Sequence, residues 1–283
     1  MAARGRRPPS QRRAQSAGRR NAGSDLTARV LVAIPAIAFA IFIVYEGGWV
    51  FTVALIGLGL ICLHEAFTLL DSAHPVRLAG FAGLIGLLIA ARTGGPDAVL
   101  AALVACVPVA FAVGLAQPRA GAPGLSVTIF ALVWIGVALA HAVMLRDLRH
   151  GDGIVVDVLV GTFVGDTGAY LGGRAFGSRP LAPAISPNKT VEGLLIGFVA
   201  GVAGVWFGGL YQDWLSGTDA LLLGAAVAFA GPIGDLFESY LKRDRHAKDT
   251  GRLFGAHGGA LDRLDAVLFT AVAGYYVWHA MLA

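Results

Sequence analysis

The residues best suited to chemistry lie in one polar segment, Ser239 to Asp265, between two hydrophobic stretches. Its 27 residues contain four Asp, six Lys or Arg, and two His, of which His257 would add a seventh cation if protonated. Each charge costs several kcal/mol inside lipid unless it is solvated or paired. Carboxylate oxygens bind Mg²⁺, and cationic side chains bind phosphate oxygens. The segment therefore indicates a site for a metal-bound polyphosphate at a membrane surface.

The hydrophobic stretch before this segment ends in polar residues at helical spacing. The positions i, i+3, i+4 and i+7 of one helix face hold Asp235, Glu238, Ser239 and Lys242. A carboxylate two turns inside the apolar boundary is costly, which favours a metal ligand at Asp235. The alternative is structural, with both carboxylates merely paired with Lys242 or Arg243 at the helix end.

The start of the last hydrophobic stretch repeats this pattern. Asp262 and Asp265 are three residues apart, so they share a helix face. The preceding loop includes Gly258 and Gly259, whose backbone N–H groups can approach an anion closely. In the alternative interpretation Asp262 only caps the helix and Asp265 only interacts with the helix dipole.

A third polar group surrounds Asp166, which lies in the middle of a hydrophobic stretch and should face a polar cavity or a cation. The loop that follows adds three basic residues, Arg174, Arg179 and Lys189. They are placed to bind phosphate or anionic lipid headgroups. The same loop ends in a helix start, with Asn188 or Thr190 as the cap, and the two roles are compatible.

The composition is that of an integral membrane protein. Hydrophobic residues make up 56% of the chain and charged residues 14%, and the mean hydropathy is +0.69. We predict an all-α, polytopic fold with about nine transmembrane helices. The apolar stretches that predict them are 28–45, 48–69, 76–92, 97–116, 124–145, 154–173, 191–211, 219–238 and 264–282.

The basic residues predict the orientation in the membrane. Residues 1–27 form a basic arm that we expect to be disordered and cytosolic. With nine spans, 19 of the 22 Lys and Arg lie on the same side as this arm. The N-terminus and the polar segment should therefore face the cytosol at the cell membrane, where nucleotides are available. Residues 28–150 are predicted to form apolar helices, and residues 151–283 a catalytic membrane domain.

The N-terminal half offers few candidates for chemistry. Cys62 and Cys106 both lie in apolar stretches and are expected to be ordinary core residues. His64 and Glu65 do not form a zinc-protease motif, because Thr68 occupies the position of the second His. We expect Glu65 to lie at the membrane edge or to contact lipid.

The polar segment, SYLKRDRHAKDTGRLFGAHGGALDRLD, resembles the signature of the CDP-diacylglycerol synthases, or phosphatidate cytidylyltransferases. The sequences GDTGAY (165–170) and SPNKTVEG (186–193) are similar to two further landmarks of that family. The resemblance covers about residues 160–270. Three residues depart from the usual pattern: Asn188 replaces a basic residue, Gly255 a proline, and Ala260 a larger aliphatic residue. These departures concern one phosphate contact and not the reaction.

The resemblance implies transfer of the cytidylyl group of CTP to phosphatidate, which gives CDP-diacylglycerol and pyrophosphate for phospholipid synthesis. It implies that Mg²⁺ is essential, with K⁺ as a candidate second cation. The implied metal ligands are Asp235, Asp262 and Asp265, with Asp166 as a weaker fourth. The implied catalytic set adds Lys242, Arg243, Lys248, Asp249, His257 and Arg263, mainly as phosphate contacts. Substrate binding is assigned to Ser239, Asp166, Lys189, Arg174, Gly258 and Gly259.

The implied partners are CTP, phosphatidate and membrane lipid, with a homodimer as the assembly and no nucleic acid. A CTP-dependent polyprenol kinase would need the same metal ligands and cations, and it would transfer the γ-phosphate instead. A transporter would distribute charged residues through the membrane depth, whereas here they crowd towards one face.

Overall fold

The computed structural model describes residues 37–247, 249–251 and 258–283. The chain divides into two compact units, Met1–Tyr45 and Glu46–Ala283. The described part of the first unit belongs to a short apolar helix, α1 (Ile37–Glu46). The predicted arm, residues 1–27, lies outside the described residues.

The described residues of the second unit are almost entirely helical, which confirms the all-α prediction. Its helices are α2 (Gly48–Leu69), α3 (Arg77–Gly114), α4 (Gly121–Asp147), α5 (Gly151–Phe176), α6 (Val191–Gly209), α7 (Gly217–Asp244) and α8 (Leu261–Leu282). Within the described ranges, six helices, α2 to α7, are long and apolar enough to cross a membrane. The predicted count of nine spans is not confirmed.

Helix α3 covers two of the predicted spans, 76–92 and 97–116. Its 38 residues, Arg77 to Gly114, consist of two helical segments that meet at a kink. Gly95 forms the kink with φ 66° and ψ −155°, a conformation that glycine adopts without strain. Pro96 follows, and a proline disfavours helical geometry in the residue before it. The sequence thus predicts the division into two segments correctly.

Helices α5 and α6 pack backbone to backbone. A Cβ atom added at Gly197 would lie 2.8 Å from the carbonyl oxygen of Gly165, and one at Gly201 would lie 3.0 Å from that of Gly161. Small residues spaced four apart allow such close approach between membrane helices. The end of α5 and the start of α6 therefore lie close together, and the chain that connects them begins and ends at the same side of the helices.

That connection forms a hairpin of β1 (Pro180–Ala182) and β2 (Ser186–Thr190), which pair antiparallel. The side chain of Thr190 accepts a hydrogen bond from Gly193 N and caps α6, as one of the two predicted caps. Arg243 Nε, near the end of α7, donates to the carbonyl oxygen of Ile185 at 3.1 Å. The hairpin, the end of α5 and the end of α7 therefore meet at one end of the helices.

Candidate active site

A buried ion network joins α7 to α8. Lys242 Nζ lies 2.6 Å from Glu238 Oε2 and 2.8 Å from Asp262 Oδ1. The exposed fractions of these side chains are 14% for Lys242, 0% for Glu238 and 9% for Asp262. We call these three residues the Lys242 network. The structural pairing that the spacing allowed for Glu238 and Lys242 is therefore formed.

Asp262 also holds the chain that precedes α8. Its carboxylate accepts hydrogen bonds from the backbone N–H of Thr250 at 3.0 Å and of Gly259 at 2.7 Å. Ala260, not Asp262, occupies the position just before the helix, so Asp262 is not the helix cap considered above. The N–H group of Gly259, predicted to contact substrate, points to Asp262 instead.

Glu65, on α2, contacts the start of α8, a contact that its sequence position does not predict. Its side chain is buried, with 6% exposure, and accepts hydrogen bonds from the backbone N–H of Ala260 at 3.1 Å and of Leu261 at 2.9 Å. The expectation of a lipid contact is wrong, because the carboxylate is buried within the protein; its place at the membrane edge stays a prediction. An acidic residue inside an otherwise apolar helix was the available signal, because such a residue usually has a polar partner within the protein.

A second group of acidic residues, Asp166 on α5, Asp235 on α7 and Asp265 on α8, forms what we call the carboxylate cluster. The charge of Asp235 repels both Asp166 and Asp265, so the three lie within electrostatic reach of one another. Asp235 forms an ion pair with Lys189, whose charge also attracts Asp166. About a third of the Asp235 side chain, 33%, is exposed. The cluster is therefore accessible, and its negative charge exceeds its positive charge.

The donor chemistry of this cluster fits a hard divalent cation, which takes carboxylate oxygens. Its members repel one another, and a bound cation would relieve that repulsion. Among the described residues, no three His, Cys, Asp or Glu side chains are already converged on one point. Binding would therefore draw these carboxylates together and compete with Lys189 for Asp235.

Comparison with known proteins places the chain by sequence. Residues 27–281 match the profile of the cytidylyltransferase family. The chain belongs to this family. It is 32% identical over 269 residues to the phosphatidate cytidylyltransferase of Brucella suis biovar 1 (strain 1330), covering 92% of this chain and 95% of that protein. It is 30% identical over 266 residues to that of Bacillus subtilis (strain 168), covering 89% and 97% respectively. The enzyme of the same name from Mycobacterium bovis (strain ATCC BAA-935 / AF2122/97) is 29% identical over 282 residues, covering 90% and 89%.

The family assignment confirms the resemblance and extends it beyond residues 160–270 to almost the whole chain. The matched region includes the first helices as well as the polar segment. This agrees with the contact that Glu65 makes from α2 to the start of α8 in this cytidylyltransferase-family chain.

The remaining predicted site residues that the structure describes lie around the Lys242 network and the carboxylate cluster. Ser239 Oγ donates to Asp235 Oδ1 at 3.4 Å, a long hydrogen bond. Arg174 is exposed in the last turn of α5, while Asp249 and Arg263 are exposed on either side of the glycine-rich loop. The backbone of Gly258 has φ 82°, and a Cβ atom there would lie 2.6 Å from Asp262 Oδ2. Lys248 and His257 lie outside the described residues.

Glu192 is a further residue whose contacts were not predicted. It receives hydrogen bonds from Ser178 Oγ at 2.8 Å, Ser178 N at 3.1 Å and Arg179 N at 3.2 Å. These bonds tie the first turn of α6 to the chain leaving α5. The hairpin that carries Lys189 to Asp235 is therefore fixed at its base.

Proposed function

We propose that this chain transfers the cytidylyl group of CTP to phosphatidate, giving CDP-diacylglycerol and pyrophosphate for phospholipid synthesis. The observation that carries the proposal is the accessible carboxylate cluster with Lys189 at the end of apolar helices, in a chain of the cytidylyltransferase family. The curated relatives of similar length are named phosphatidate cytidylyltransferases.

The reaction needs no nucleophile from the protein. A phosphate oxygen of phosphatidate attacks the α-phosphorus of CTP and forms the new P–O bond. The bond between the α-phosphorus and the oxygen that bridges to the β-phosphate breaks, and pyrophosphate leaves with the electron pair. The task of the protein is then to bring two anions together and to balance their charge.

The side chains divide this task. Lys189 and Arg243, which meet at the hairpin over the end of α7, would bind phosphate oxygens, with Arg174 at the rim. Asp166, Asp235 and Asp265 would hold Mg²⁺, which when bound neutralises the phosphate charge. Asp262 would join them only by giving up Lys242, so we assign it first to the support of the loop.

We further propose that the chain spans the membrane about nine times, with its N-terminus and active site in the cytosol, and acts as a homodimer. The 38 residues of α3 measure about 57 Å at 1.5 Å per residue, nearly twice the thickness of a hydrocarbon core of about 30 Å. The break at Gly95 divides α3 into two lengths that could each cross. The predicted stretch 28–45 and helix α8 would supply the remaining spans.

The test is an assay of purified protein with phosphatidate and CTP labelled at either the α- or the γ-phosphate, with and without Mg²⁺. Label from the α-phosphate in lipid, together with release of pyrophosphate, supports the proposal. Label from the γ-phosphate in lipid would identify a lipid kinase and overturn it. The Asp235→Asn variant is the matched control, because it keeps the side-chain volume and removes the charge.

A further inference from the structure

We propose that Glu65 is a positioning residue for this reaction, acting from α2 on the polar segment that carries the acidic residues of α8. The inference rests on the proposed function and adds to it a role for the N-terminal helices. Glu65 is nearly 200 residues away from its partners in sequence, so only the fold reveals the contact.

The contacts of Glu65 fall on both sides of the sequence 252–257. On one side its Oε2 accepts a hydrogen bond from Thr250 Oγ1 at 3.4 Å. On the other side the backbone N–H groups of Ala260 and Leu261 donate to it at 3.1 Å and 2.9 Å. One carboxylate thus fixes the residues before and after that sequence.

Glu65 and Asp262 act on the same residue from two directions. The hydroxyl group of Thr250 donates to Glu65, while the N–H group of Thr250 donates to Asp262. Leu261, held by Glu65, is the first residue of α8 and directly precedes Asp262. Asp265 follows one turn later, so a shift at Leu261 moves both acidic residues of this helix.

The charge of Glu65 matters as well as its shape. Backbone N–H groups at a helix start carry partial positive charge, and a carboxylate satisfies them more strongly than a neutral acceptor does. The 6% exposure of Glu65 removes competition from water. An amide of the same size has only one acceptor oxygen and would direct its own NH₂ group at the donors that the second carboxylate oxygen serves.

Two glycines make room for this carboxylate. A Cβ atom added at Gly251 or at Gly259 would overlap the carboxylate of Glu65. Neither glycine has a backbone φ in the left-handed region, so alanine would fit the backbone at both positions and fail only against Glu65. These glycines are therefore complementary to Glu65 in the packed state.

The experiment compares Glu65→Asp, Glu65→Gln and wild type in the full-length protein, with kcat and KM for CTP normalised to the folded, monodisperse fraction in detergent. Positioning by charge predicts kcat in the order wild type, Asp, Gln, with Gln lowered about 10²-fold and the KM for CTP changed less. His64→Ala, an exposed neighbour on the same helix, serves as the matched control and should keep wild-type kcat.

A purely packing role predicts kcat in the order wild type, Gln, Asp, since Gln keeps the volume of Glu and Asp does not. That order, or a kcat per folded molecule equal to wild type in Glu65→Gln, would overturn the inference. If both Glu65 variants fail to fold, Gly259→Ala tests the same contact from the other side. It should lower kcat about tenfold or more, and wild-type kcat in it would also overturn the inference. A wild-type protein that forms no CDP-diacylglycerol would defeat the proposed function itself, whatever the variants do.

Discussion

The Lys242 network and the carboxylate cluster both lie where the C-terminal end of α7 meets the start of α8. Both contain more acidic than basic side chains. In the network, a lysine with 14% exposure lies between carboxylates with 0% and 9% exposure, and backbone N–H groups donate to Asp262 as well. In the cluster, Lys189 pairs with Asp235 and attracts Asp166, and the Lys189–Asp235 ion pair is about one-third exposed.

This difference in burial and pairing distinguishes charged residues that stabilise the fold from charged residues that are available to bind a ligand. A buried charge must be compensated within the protein, because water cannot reach it. An accessible group of mutually repelling carboxylates is compensated by whatever cation arrives from solvent. On this basis the network holds α7, α8 and the loop together, and we propose that the cluster binds the metal and the phosphates.

The largest effect should come from the cluster. Asp235→Asn should lower kcat about 10³-fold, because it removes a proposed metal ligand. The folded state should be as stable as wild type or more so, since the repulsion of Asp166 and Asp265 by Asp235 is lost. Activity assays and thermal unfolding in detergent measure the two quantities, and a variant that keeps a tenth of wild-type kcat would remove Asp235 from the metal site.

In the Lys242 network, we expect substitution to reduce the stability of the fold. Lys242→Met leaves two buried carboxylates without their cation and should lower the free energy of unfolding by about 3–5 kcal/mol. Arg243→Met is the matched control on the next, exposed position, where the loss should be under about 1.5 kcal/mol. Equal unfolding temperatures for these two variants would contradict the structural role of the network.

An intermediate effect is expected at Lys189, which pairs with Asp235 and which we propose to bind a substrate phosphate. Lys189→Gln should lower kcat/KM for CTP about 10- to 100-fold through the loss of a charged phosphate contact. It should also lower the Mg²⁺ concentration needed for half-maximal activity, because Lys189 competes with the cation for Asp235. Titration of activity with Mg²⁺ measures this, and a raised requirement would mean that Lys189 supports the metal rather than opposing it.

The smallest effect should come from Ser239, whose hydroxyl group makes only a long hydrogen bond of 3.4 Å to Asp235. Ser239→Ala should change kcat less than about threefold, in keeping with a weak neutral-donor contact. A loss of tenfold or more in steady-state assays would show that this hydroxyl group contacts substrate directly, and the cluster would then be more extensive than the comparison assumes.

The helical fold, the polar segment and the family can be predicted from the sequence, because each depends on residue type and local spacing. The apolar stretches predict helices, and Asp262 with Asp265, or Asp235 with Ser239, follow from helical periodicity. The division of α3 at Gly95 also follows from local preference, because the structure has two helical segments that meet at a kink there. The contacts of Glu65 do not follow from it, because partners 185 to 196 residues away leave no local pattern.

What the sequence determined by itself is the inventory of this site: membrane-spanning helices, acidic residues inside them, and basic residues crowded near one end. Only the tertiary structure decided which acidic residue meets which cation. It paired Asp262 with Lys242, Asp235 with Lys189, and Glu65 with the start of α8, across separations of 20 to 196 residues. These partners depend on how the helices pack, because the close approach of α5 and α6 and the depth of Glu65 on α2 set distances that no local pattern encodes.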